Sequence, residues 1–153
     1  MTVKRWMYRD GRPNQLTKII NAGWAFLHTL GIFPNRYVTL QVAGRQSGNM
    51  ISFPLVMTML NGERYLVSML GQDANWVRNI KAAHGQARLR HGKSEQVILE
   101  EVEIAQRAPI LKAYLQIAPG ARPHIPVSKD APIAEFEKIA SQYPVFRLNT
   151  IAR

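Results

Sequence analysis

The sequence predicts a mainly β fold with flanking helices (α+β), arranged as a barrel of about six mostly antiparallel strands. Three observations lead there. From residue 36 onward, short runs such as "YVTLQVA" and "EEVEI" alternate polar and apolar side chains, the period of a half-buried strand. The runs are separated by the glycine turns "GRQSGN", "NGE" and "HGKSE". Their close spacing leaves little room for crossover helices, so pairing should be mainly antiparallel and the sheet should close on itself.

The elements follow in chain order. From Asn14 to Leu30 the residues Leu16, Ile19, Ile20, Trp24, Leu27 and Leu30 recur at steps of mostly three and four, predicting an amphipathic helix that Gly31 and Pro34 end. That helix either caps the barrel or rests on an acidic bilayer, with Lys4, Arg5, Arg9, Arg12 and Lys18 on the headgroups and Trp6 and Trp24 at the interface. Strands are expected over Arg36–Ala43, Met50–Leu60, Arg64–Leu70, Ala87–His91 and Gln96–Ile104. Pro54 cannot donate a ladder hydrogen bond, which marks a bulge or an edge within the second strand. Helices are expected over Asn75–His84 and Ala108–Ile117. A Pro-rich surface loop over 118–132, a short helix over Ile133–Ala140 and an extended "YPVFRL" complete the chain. The 153 residues fit one domain, with 1–34 as a helical extension.

Charge and composition narrow the chemistry. Twenty Lys and Arg against ten Asp and Glu give +10 at pH 7, favouring an anionic partner. The absence of cysteine removes disulfides, thiolate nucleophiles and Cys-based metal sites. No stretch reaches the roughly 18 apolar residues of a membrane span, and the opening "MTVKRWMYRD" has no signal-peptide core. The expectation is a cytoplasmic protein, with peripheral contact to the inner membrane face as the alternative for the N-terminal helix. His28, His84, His91 and His124 show no ligand spacing, so no metal is expected. Neither a Gly-x-Ser-x-Gly elbow nor an RNA-binding aromatic motif is present, so serine hydrolysis and nucleic-acid binding are not expected. Glu95, Glu100, Glu101 and Glu103 read as a solvated strand face.

Two stretches carry the binding chemistry. In "GRQSG", Gly44 and Gly48 permit close backbone approach, successive amides can form an anion nest, and Arg45 and Ser47 add donors; an ordinary hairpin with a solvated arginine looks the same. In "GQDANWVRNIKAAHG", taking Asn75 as N-cap puts Arg78 at N3, where a cation opposes the helix dipole by about 0.3–1 kcal/mol unless an anion binds there. Asn79 lies i+4 from Asn75, Lys81 shares the surface of Arg78, and Trp76, Ile80 and Ala83 can face inward. The hairpin from Met50 to Leu70 returns the chain to the "GRQSG" end, so one crevice can hold both stretches.

These motifs in this order resemble the deazaflavin-dependent nitroreductases, also called coenzyme F-420-dependent quinone reductases. The resemblance rests on "GRQSG", "FPL", "NGERYLVSM" and "NWVRNIKA", spans about Val38 to Glu103, and extends to "APGARPHIP" through "YPVFRL" as one branch of the family. It implies an FMN-binding-like split β-barrel that passes hydride from reduced F-420 to a quinone, nitroaromatic or activated alkene, with FMN as the alternative cofactor. It places Arg45, Gln46 and Ser47 at the phosphate and tail, Pro54 and Leu55 beside the ring, Ser68 near the cofactor, and Asn75, Trp76, Arg78 and Asn79 on the closing helix. Gln46 stands where the family has Lys or Arg, and Ile51 where it has the arginine before Pro-Leu. Each lost charge-assisted contact removes about 1.5–3 kcal/mol. The alternative function is a non-catalytic barrel carrying a deazaflavin, flavin or lipid. Tyr114 and Tyr143 are the candidate proton donors, with core packing as the alternative, and no catalytic residue is assigned. The expected partners are a small-molecule substrate and a second copy in a homodimer.

Overall fold

The computed structural model describes residues 36–151. The helix expected over Asn14–Leu30, with Trp6 and Trp24, lies outside them. Six strands form a closed, wholly antiparallel barrel: β1 (Tyr37–Ala43), β2 (Met50–Leu60), β3 (Glu63–Val67), β4 (Gln86–His91), β5 (Lys93–Glu101) and β6 (Val145–Thr150). Their order around the barrel is β1-β2-β3-β6-β5-β4. The C-terminal strand thus inserts between β3 and β5 and closes the ring.

Period-two patterning decides which side chains fill the interior. Val38, Leu40 and Val42 of β1, Phe53 and Met57 of β2, Leu66 of β3, Leu89 of β4, Val97 and Leu99 of β5 and Phe146 and Leu148 of β6 pack together inside. Helix α1 (Asn75–Ala82) plugs one end, adding Trp76, Val77 and Ile80 to that core. Trp76 meets Phe146 edge-on, with ring centroids 5.6 Å apart. Such a pair contributes about 0.5–1.5 kcal/mol beyond area burial.

The outward face of β1, β2, β3 and β6 is apolar at Tyr37, Val56, Val67 and Val145, so it needs a second layer. Helices α2 (Ala108–Ile117) and α3 (Ile133–Ile139) supply it with Ile110, Leu111, Leu115 and Phe136. The 118–132 stretch does more than cross the surface. It contains a 3₁₀ turn over Pro119–His124 and buries Ala121 and Ile125 against this layer, and His124 O accepts from the Tyr143 hydroxyl at 2.8 Å.

The β2–β3 hairpin turns on Asn61 and Gly62, at φ of 53° and 78°. Two successive positive φ values match the right-handed strand twist, and Asn-Gly adopts them readily. Pro54 sits at an edge and not a bulge: β1 pairs with β2 in unbroken register from Tyr37↔Val56 to Ala43↔Met50, whereas β3 pairs with β2 only from Met57 to Leu60. Over Met50–Val56, therefore, β2 has β1 on one side and no strand on the other among the described residues.

Two strands depart from expectation by about three residues at an end. The second hairpin arm ends at Val67, because Met69 and Leu70 form a turn toward α1. The fifth strand runs Lys93–Glu101 and stops before the 3₁₀ turn Ile104–Gln106. The reason is Arg107, which is 4% exposed. Its guanidinium donates to Val102 O (2.9 Å), Ala140 O (3.0 Å), Tyr143 O (3.4 Å) and the Glu101 carboxylate (3.1 Å), so the chain turns inward where a strand would continue outward.

Candidate functional site

The turn over 44–49 and helix α1 meet, as the hairpin geometry suggests. Arg45 joins them. Its Nη1 donates to Asn79 Oδ1 at 2.7 Å, its Nη2 to Asn75 Oδ1 at 3.2 Å, and its backbone N–H to Asn79 Oδ1 at 3.2 Å. Asn75 and Asn79 are one helical turn apart on the same face, which lets both amide oxygens reach one planar guanidinium. Asn79 is 2% exposed and is anchored from below by the packing of Trp76 and Ile80.

This contact corrects the helix start. Ala74, not Asn75, is the N-cap, and no side chain caps the helix; Asn75 becomes N1 and Arg78 N4. The Asn75 oxygen is directed to Arg45 instead of the helix amides. There is no acidic residue in the first turn, so the positive end of the helix and the Arg45 and Arg78 side chains add up. Arg78 is exposed and has no side-chain partner among the described residues.

The turn settles its own backbone in part. Gly44 N–H donates to Asn49 O at 2.8 Å, Gly48 N–H to Gly44 O at 2.9 Å, and Asn49 N–H to Ser47 Oγ at 3.1 Å. The amides of Gln46 and Ser47 have no partner among the described residues, and both residues are exposed. The nest expected from sequence thus narrows to two adjacent N–H groups beside an immobilised cation.

The remaining predicted residues separate into two sets. Pro54 and Leu55 are half-buried on the open edge of β2, next to the turn in sequence. Ser68 and Trp76 are buried, at 1% and 4% exposure. The Ser68 hydroxyl donates to Gly71 O at 2.6 Å and its N–H to Pro144 O at 2.9 Å, tying down the chain that leads into α1. Lys81 lies 3.8 Å from Glu101, a loose surface pair worth little.

Neither tyrosine weighed as a proton donor stands free. Tyr114 is a buried residue of α2, and burial pushes its phenol well above the usual range; burial also raises Tyr143, whose hydroxyl donates to His124 O. The acidic residues are not merely a solvated face: Glu95 pairs with Arg64 at 2.7 Å, Glu100 with Arg147, and Glu101 with Arg107 at 3.1 Å. Sequence reasoning missed Arg107. Burial pushes its guanidinium below the ordinary range, and Glu101 offsets part of that.

A separate cleft of about 520 Å³ lies on the outer face of β3, β6 and β5, lined by Tyr65, Glu100, Glu103, Gln106, Ile110 and Arg147 among others. It contains none of the predicted residues. Among the described residues no group of His, Asp and Glu is placed to hold a metal ion, and no helix is long and apolar enough to cross a membrane.

No family model and no curated protein matches the chain. Among solved structures it is similar to a domain-swapped dimer (19% identical, TM-score 0.54, covering 87% of this chain and 98% of that one). It is also similar to a protein from Listeria innocua described as a candidate pyridoxamine 5'-phosphate oxidase (8% identical, TM-score 0.52, covering 88% and 94%). A third is an F-420-H2-dependent reductase (22% identical, TM-score 0.49, covering 77% and 97%). Identity this low speaks for the fold alone. The fold is the FMN-binding-like split β-barrel, with six antiparallel strands and flanking helices, as the motif resemblance implies.

Proposed function

We propose that the chain is a deazaflavin-dependent oxidoreductase that holds coenzyme F-420 where the 44–49 turn meets α1 and delivers hydride to a quinone, nitroaromatic or activated alkene. One observation carries the reading: a full positive charge, tied by two neutral amides to the first turn of a helix, belongs to a turn whose next two backbone N–H groups have no partner among the described residues. That donor set suits a phosphate or carboxylate tail.

When bound, the reduced deazaflavin supplies the hydride; the chain's residues bind and orient it. Arg45, the Gln46 and Ser47 amides and Arg78 hold the anionic tail. Pro54 and Leu55 offer an apolar edge to the ring where β2 has no second strand neighbour among the described residues. Trp76 and Ser68 serve from behind, Trp76 by seating α1 in the barrel and Ser68 by fixing the loop before it. Tyr114 and Tyr143 are left out of the chemistry because burial disfavours their ionised forms and one is already hydrogen-bonded. FMN carries the same kind of charged tail and is the second cofactor to test.

The test mixes purified protein with reduced F-420 and menadione or a nitroaromatic and follows cofactor reoxidation at its visible band. Acceptor-dependent reoxidation is expected. Binding without turnover would support instead a barrel that carries its ligand. Failure to bind F-420, with FMN bound, would transfer the site to a flavin. The reading also takes the 153 residues as one cytoplasmic domain that pairs as a homodimer, and gel filtration showing only monomer would reject the pairing.

A further inference from the structure

Arg45 is exposed, yet its guanidinium is committed. Two of its five N–H donors go to amide oxygens on α1, and the buried Asn79 oxygen accepts the Arg45 backbone N–H as well. The other three donors have no partner among the described residues. We infer that Asn75 and Asn79 are positioning residues: they bind Arg45 to α1 without neutralising it, making turn and helix a single preorganised seat for a ligand oxyanion. The inference rests on the reading of this rim as the seat of the cofactor's charged tail, and assigns the asparagines a place behind the arginine.

The chemistry of the acceptors decides the matter. A carboxylate at position 75 or 79 would hold a guanidinium more strongly than an amide does, since a hydrogen bond between two charged groups is roughly twice as strong as a neutral one. It would also cancel the charge. Two neutral acceptors give up holding strength and leave the cation whole, an arrangement suited to attracting an anion. A purely structural clasp gains nothing from that choice. The geometry is tight: the 2.7 Å contact is at the short limit for an N–H···O bond, and its acceptor is 2% exposed, on a helix locked into the core by Trp76, Val77 and Ile80.

The same geometry explains how the site works with Gln46 where a further cation is expected. An unrestrained surface arginine loses rotamer freedom on gripping an anion. Here that ordering is already present in the folded protein. Preorganisation therefore stands in for an added charge.

The experiment compares wild type with Asn75→Asp and Asn79→Asp, titrating F-420 by its own fluorescence anisotropy and recording thermal unfolding of each protein. Both carboxylate variants are expected to keep or raise the unfolding temperature while the dissociation constant rises about tenfold or more, and the affinity should depend less steeply on salt. A merely structural role predicts affinity unchanged or improved, because the clasp is strengthened. If both aspartate variants bind as wild type does, the inference is overturned and the proposed function stands. If wild type binds neither F-420 nor FMN, the functional reading fails and the inference falls with it. Should Asn79→Asp fail to fold, Asn75→Asp decides alone, since Asn75 is only half-buried.

Discussion

Replacing Arg107 by methionine tests how the β5–α2 junction is held. The side chain fits the same channel but cannot donate. Three carbonyls, of Val102, Ala140 and Tyr143, lose a charged donor, and Glu101 loses its closest cation. Ala140 O keeps the Tyr143 N–H at 3.4 Å, and each buried carbonyl left without a partner costs about 1–3 kcal/mol. Against that, the variant escapes the desolvation that depresses the Arg107 pKa, so the costs do not simply add. A net loss of about 3–5 kcal/mol follows, the range found when one partner of a buried charged network is removed. For a domain of this size that is a fall of about 10–15 °C in midpoint. Thermal unfolding followed by circular dichroism at pH 7, with urea midpoints as a check, provides the assay. A midpoint within about 2 °C of wild type would refute the reasoning and show that water or backbone adjustment replaces the guanidinium without cost.

Three further outcomes follow from the packing. Gly85 has φ of 83°, and a β-carbon there would lie 2.5 Å from the Leu99 carbonyl oxygen, so Gly85→Ala should cost about 2–3 kcal/mol in urea unfolding; a neutral result would mean that β4 and β5 separate easily. Burial raises the Tyr114 pKa, so the unfolded chain releases this proton first as pH rises. Its contribution is whole below about pH 10 and is lost above it. Tyr114→Phe should therefore flatten the decline in stability between about pH 10 and 11 by about 1 kcal/mol, and an unaltered slope would mean that the phenol ionises freely in the native state. Trp76→Ala removes the plug of α1 and its contact with Phe146, for an expected loss of about 3–5 kcal/mol, together with weaker F-420 binding; stability within about 1 kcal/mol of wild type would show that α1 is seated by other residues.

Much of the barrel was legible because alternation and glycine turns are local signals. β1, β2 and the hairpin they lead into could be read from "YVTLQVA", the β-rich run Met50–Leu60 and "NGE", and of the two readings of Pro54, bulge or edge, the edge is the one found. The convergence of "GRQSG" with "NWVRN" was legible too, since a hairpin must bring its ends together. The position of β6 was not: "PVFRL" reads as extended, but its insertion between β3 and β5 is a long-range choice that alternation alone does not encode. Asn75 was misplaced as a cap because asparagine is favoured there, and only the tertiary contact to Arg45 shows its oxygen turned away. Arg107 was invisible for a related reason. An arginine before a helix normally reads as surface, and its burial depends on carbonyls from residues 140 and 143, far along the chain.

Amide NMR during titration with F-420 shows whether the rim of turn and helix receives the charged tail of the cofactor. The backbone resonances of Gln46 and Ser47, the two turn amides without a partner among the described residues, should move most, together with Arg78. Those of Gly44 and Asn49, already engaged within the turn, should move less. Shifts gathered instead around Tyr65, Glu103 and Gln106, in the cleft on the outer face of β3, β6 and β5, would place the ligand there and not at the rim.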